Sequence, residues 1–154
     1  MRVVQIDSFS GGVEEFAKLG YLDFMKNSLT TDAIRMKPGC TSKIRSHVDT
    51  VLKIDGWAVP YQINGKNDLK ITARKEDMVF QIQTGNISRY SYDLLKLQYV
   101  YSEGFARCAC LAVPSLKASK LISGNLANGE RIANEMEIFR KFINVPLLLL
   151  TFDD

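Results

Sequence analysis

The sequence lacks any apolar run near the ~18 residues a membrane span needs; its greasiest stretch, Val145 to Leu150, is short and contains Pro146. The opening, MRVVQIDSFSGG, is too short and too polar for a secretory signal. We therefore expect a cytoplasmic protein with no membrane contact. Histidine is almost absent: His47 is the single one. The three cysteines, Cys40, Cys108 and Cys110, cannot all pair within one chain. Cys108 and Cys110 alternate inside an apolar run, so they share one strand face. With one histidine and no second cysteine pair, a zinc site is disfavoured, and reduced buried thiols are the expected state. Nor is there strong charge of either sign: the net charge is +3. Length allows one domain, 1–154.

What is present points to an α/β protein with a mixed central β-sheet flanked by helices. Strand signals occupy Arg2 to Ile6, Met78 to Gln83, Arg107 to Val113 and Leu147 to Phe152, with Leu69 to Ala73 pairing Met78 to Gln83 as a hairpin. Helical spacing covers Val13 to Asn27, Ser42 to Ile54 (with Ser42 as N-cap), Asn86 to Tyr101 and Glu130 to Ile143. Ala118 to Gly129 reads as loop. The near-continuous apolar strand 107–113 belongs at a sheet centre, reached from 78–83 by a βαβ crossover. The helix 86–101 carries two apolar stripes: Tyr90, Leu94, Leu97 and Tyr101, and Tyr92, Leu95 and Tyr99. One stripe can face the sheet and the other a partner chain.

Chemistry concentrates in NDLKITARKEDMVFQIQTGN, residues 67–86. Asp68 opens the first strand of the expected hairpin. Gln81 and Gln83, two apart on the second, project to one face. An acid facing such a pair is how PD-(D/E)xK nucleases hold Mg²⁺: carboxylates anchor the ion, and the third group orients the attacking water. Between Arg35 and Lys53, five basic residues stand against one acid, a composition that suits phosphates or simply a solvated face.

The run QIQTGNISRYSYDLLKLQ resembles the E-V-Q-F-G-x-Y-S segment of the BamHI/BglII/BstYI-like type II restriction endonucleases. MRVVQIDSFSGGVEEF, Asp55-Gly56-Trp57, Ser123-Gly124-Asn125 and VPLLLL extend the resemblance along most of the chain. It implies a restriction-endonuclease-like (PD-(D/E)xK) core. It also implies a homodimer that hydrolyses phosphodiester bonds at a short palindromic double-stranded DNA site, with Mg²⁺ as cofactor. Related enzymes recognise sites containing GATC, so that core is expected. By this resemblance Asp68 and Gln81 are the metal ligands, and Asp68, Gln81 and Gln83 the catalytic set. Gln81, however, stands where the family carries an essential Glu. Either a Glu-to-Gln change has disabled an enzyme, or the chain is a degenerate, DNA-binding relative. The plainer alternative is that both glutamines are outward-facing strand residues.

Expected DNA contacts lie at the helix start after the catalytic strand: Asn86, Ser88 and Arg89. Asn pairs with adenine and Arg with guanine in the major groove, although Asn86 or Ser88 also suits a helix cap. The Ser123 to Arg131 loop adds Asn125, Asn128 and Arg131. Lys43, Arg45 and His47 are expected to meet backbone phosphates. A repair or junction nuclease on the same core is a further reading, separable by its cutting pattern.

Overall fold

In the computed structural model, which describes residues 1–154, the chain forms seven strands and six α-helices. The strands are β1 (Arg2–Phe9), β2 (Tyr61–Asn64), β3 (Leu69–Ile71), β4 (Ala73–Lys75), β5 (Met78–Ile82), β6 (Cys108–Pro114) and β7 (Leu147–Asp153). The helices are α1 (Gly12–Lys18), α2 (Leu22–Ser28), α3 (Thr41–Ile54), α4 (Tyr90–Ser102), α5 (Leu116–Ile122) and α6 (Gly129–Phe139). The main sheet runs β1-β7-β6-β5-β4. Its inner strands β5, β6 and β7 are parallel, and its outer pairs β1/β7 and β4/β5 are antiparallel. The mixed sheet flanked by helices is the expected fold class.

Strand alternation sorts the core into two layers. Phe80, Cys108, Cys110, Leu148 and Leu150 point to one face, where Phe16 of α1, Met25 of α2, Ile44 and Val48 of α3 and Ile122 of α5 cover them. Val79, Ala109, Leu111 and Leu149 point to the other, against Leu94 and Leu97 of α4 and Ile132 and Met136 of α6. Cys108 and Cys110 do share a face, and Cys40, Cys108 and Cys110 are all free and buried. Burial pushes the Cys108 thiol up to about 12 and raises Cys110 as well. These are inert core groups.

Several boundaries differ from the sequence reading. The expected helix from Val13 to Asn27 is two, because the chain turns at Gly20, whose φ of +73° favours glycine. Gly12 opens α1 against β7; a Cβ there would lie 2.1 Å from the Leu147 carbonyl carbon. α3 starts at Thr41 after Cys40, so Ser42 lies inside the helix rather than capping it. The expected loop 118–129 begins inside α5, which is capped by Ser115, whose side chain accepts from the Ala118 N–H. α6 ends at Phe139, not Ile143.

The largest departure is the hairpin. β3 pairs with β2, a strand unforeseen in the sequence, and only β4 pairs with β5. The chain bends between them at Thr72. There, side chains replace the ladder: the Gln81 Oε1 accepts from the Thr72 N–H at 2.9 Å, and the Thr72 hydroxyl accepts from the Ile82 N–H at 3.1 Å. The bend opens the sheet edge beside the C-terminal end of β5.

Candidate nucleic-acid interface and reaction centre

A cleft of about 530 Å³ lies at that edge, lined by residues of α3, the β3–β4 bend, β5 and α4. Its charged side chains are Arg45, Lys70, Arg89 and Lys96 against Asp49 and Asp93. Four cations against two carboxylates make a pocket suited to phosphate.

Gln81 and Gln83 reach into the cleft from one face of β5, as their spacing predicts, yet both are buried, at 8% and 4% exposure. Their partner was not foreseen. Asp93, on α4 and 3% exposed, accepts from the Gln81 Nε2 at 2.9 Å through one oxygen and from the Gln83 Nε2 through the other. Lys96, one turn further along α4, closes the cluster with its ammonium 2.7 Å from Asp93 Oδ1. Both amide orientations follow from the surrounding donors. The Gln81 Oε1 takes the Thr72 N–H and hydroxyl at 2.9 and 3.2 Å, and the Gln83 Oε1 takes the Gly85 N–H at 2.7 Å. Each NH₂ is left facing the carboxylate.

Asp68 is not part of this cluster. It sits in the turn between β2 and β3 with φ +48°, its side chain 77% exposed and paired with Lys70 at 2.7 Å. The register explains the correction. Ala73 lies opposite Phe80, so the residue meeting Gln81 is Thr72, four positions after Asp68. The expected hairpin, carried straight back to Asp68, overlooked the bend.

The centre does not fit Mg²⁺, which wants several hard oxygens, usually including carboxylates. Thr72 supplies a neutral hydroxyl already bonded to Gln81 and Ile82. Both glutamine oxygens are engaged by N–H or O–H donors, and the carboxylate of Asp93 is shared among two amides and an ammonium. No group of three or more His, Cys, Asp or Glu stands together to hold an ion.

The expected DNA contacts divide. Arg89 lines the cleft, and so does Arg45, whose Nε donates to Thr84 Oγ1 at 2.9 Å. Lys43 and His47, each two residues from Arg45 and so on other sides of α3, do not line it. Lys43 borders a separate groove with Arg35 and Lys37. His47 is turned towards Ser28 of α2; burial lowers its pKa, and its Nε2 has no partner. Asn86 caps a short 3₁₀ turn, Ile87–Arg89, by accepting from the Ser88 N–H and hydroxyl, each at 2.9 Å. Asn86 and Ser88 remain exposed.

The second loop is zipped to the first. The Ile87 N–H donates to the Asn125 carbonyl at 3.0 Å, and the Ala127 N–H to the Gly85 carbonyl at 3.2 Å. Asn125 is exposed beside Asn86. Asn128 is buried and its Oδ1 caps α6, accepting from the Arg131 N–H at 3.0 Å. Arg131 pairs with Glu135 at 2.7 Å.

Sequence reasoning thus missed Thr72, Asp93 and Lys96. Asp93 did leave a trace. It lies three residues after Tyr90 and four before Leu97, on the stripe that α4 buries, where a lone acid requires a partner.

The sequence profile of the family described as restriction endonuclease BglII/BglIII matches residues 22–152. Among solved structures, the fold is similar to that of the restriction endonuclease BglII complexed with a DNA 16-mer, with a TM-score of 0.84 at 12% identity, covering 100% of this chain and 77% of that one. Free BglII gives 0.71, again at 12% identity, covering 100% of this chain and 80% of its own. Curated protein sequences give no match. No helix is long and apolar enough to cross a membrane. The structural likenesses show the fold, and the profile spans most of the chain: the protein belongs to the BglII/BglIII restriction endonuclease family.

Proposed function

We propose that this protein engages a short palindromic site in duplex DNA as a homodimer, and that in the present sequence the hydrolytic step is blocked at the centre around Gln81. Family membership implies a type II deoxyribonuclease. In that chemistry Mg²⁺ supplies the activated water and neutralises charge developing on the phosphate. The observation that carries our reading is the pairing of a basic cleft with a centre lacking free acidic ligands. Arg45, Lys70 and Arg89 can take the DNA backbone. Thr72, Gln81 and Gln83 form a bonded lattice where hydrolysis needs carboxylates.

Sequence reading falls to the exposed Asn86, Ser88, Arg89 and Asn125 beside the cleft. The second copy docks on the outer stripe of α4. Tyr92, Leu95 and Tyr99 are exposed there, and Leu95 joins Phe139 and Phe142 in a largely apolar groove. A two-fold axis through this helix would match the symmetry of a palindromic site. The cytoplasm is the fitting compartment, where the buried thiols stay reduced.

Gel shift and fluorescence anisotropy on palindromic duplexes with a GATC core, alongside plasmid digestion, test the reading. We expect salt-sensitive binding, weakened at least ~tenfold by Arg45→Ala or Arg89→Ala, and no cleavage in Mg²⁺. The double change Thr72→Asp with Gln81→Glu is expected to convert plasmid into discrete fragments. Absence of duplex binding, or cleavage by the unaltered chain, overturns the proposal.

A further inference from the structure

We propose that the Lys96 ammonium is the resident cation of the cleft, standing in for a divalent ion and making the centre charge-balanced without one. The inference rests on reading this cleft as the family's reaction centre.

An Asp–Lys pair three residues apart on a helix is usually a solvated surface feature, of little consequence. This one is not. The side chains of Lys96 and Asp93 are 10% and 5% exposed. The ammonium is held from three sides. Asp93 Oδ1 lies at 2.7 Å, the Lys70 carbonyl accepts at 3.0 Å, and the Tyr92 ring centroid lies 5.5 Å away. A carbonyl, a carboxylate and an aromatic face form a built cation site, and the chain fills it from its own sequence.

The rest of the lattice is arranged around the same balance. Asp93 is the only carboxylate bonded to Gln81 and Gln83. With one negative charge and one positive, the cluster is neutral, and the two amides add dipoles but no charge. A divalent ion entering here would meet a fixed ammonium and glutamine NH₂ groups, all repulsive to it. The charge of a bound metal has been replaced by a covalently attached one. Position 81 is then consistent with position 96. A glutamate at 81 would add a second negative charge that one ammonium cannot offset.

Metal titrations without DNA test this, so their failure is distinct from failure of the DNA-binding reading. Isothermal titration calorimetry and thermal unfolding are run with MgCl₂ and MnCl₂ in the millimolar range. The unaltered protein is expected to give no saturable heat and no rise in Tm. Lys96→Met, which leaves Asp93 without its cation, is expected to lose Tm and regain part of it with MnCl₂. Lys96→Arg, which keeps the charge, is expected to show no metal response. In the Thr72→Asp/Gln81→Glu background, adding Lys96→Met is expected to tighten Mn²⁺ binding at least about tenfold. Saturable one-to-one Mg²⁺ or Mn²⁺ binding by the unaltered protein overturns the proposal, even if no variant folds. So does a metal response in Lys96→Met no larger than in Lys96→Arg.

Discussion

The two faces of β5 are made by the same five residues and their next neighbour, and they behave as different materials. One face, Met78, Phe80 and Ile82, is apolar and packs under α1 to α3. The other begins apolar at Val79 and then turns polar at Gln81 and Gln83, against Asp93. Both are buried. The first is held by non-directional burial, which tolerates exchange among groups of similar shape. The second is held by directed bonds, each oriented by the next, and tolerates little. The reaction centre we propose lies at the junction, and its chemistry depends on a few polar atoms rather than on the fold.

The comparison can be broken most forcefully by removing the centre of each face. Phe80→Ala should cost about 3–5 kcal/mol through the cavity it leaves. Asp93→Ala should cost about as much, roughly 3–5 kcal/mol, because it strands an ammonium whose side chain is only 10% exposed. Chemical denaturation measures both, and a near-neutral Asp93→Ala would show that the polar face is not an ion-paired lattice. Gln81→Glu comes next. It removes a donor to Asp93 and sets two carboxylates together, for a loss of about 1–3 kcal/mol near neutral pH. Repulsion from Asp93 holds the introduced glutamate's carboxyl above its unfolded value of about 4.3. The folded variant then binds more protons than the unfolded chain, so its stability falls as pH rises through that value. The Tm gap between Gln81→Glu and the unaltered protein should therefore widen from acidic to neutral pH.

A smaller change sharpens the contrast. Ile82→Val, on the apolar face, should cost only about 0.5–1.5 kcal/mol by thermal unfolding. Smallest is Asp68→Asn. This exposed turn residue should alter stability by less than about 0.5 kcal/mol and leave unchanged the metal response of the Thr72→Asp/Gln81→Glu protein. A lost metal response there would return Asp68 to the centre.

Much of this was legible in the sequence. The run 107–113 is a central strand because both its faces are apolar, and β6 does lie between β5 and β7. The two stripes of α4 were separable by spacing: Tyr90, Leu94 and Leu97 are buried and Tyr101 half-buried, whereas Tyr92, Leu95 and Tyr99 are exposed. The placing of Gln81 and Gln83 on one face followed from the two-residue period of a strand. The Asp68 reading failed because the strand bends at Thr72, and a bend stitched by a glutamine side chain has no local signature.

By itself, then, the sequence determined what depends on local period and composition: strand and helix faces, the buried thiols, the family resemblance and the pair of glutamines. Only the tertiary structure decided which groups meet those glutamines. Thr72 arrives from the bend before the neighbouring strand β4, and Asp93 and Lys96 from helix α4 packed on the sheet. Charge balance in a buried site is set by distances of a few ångströms between side chains of different elements, and electrostatic interaction at that range depends on burial as much as on charge. Spacing along the chain carries neither.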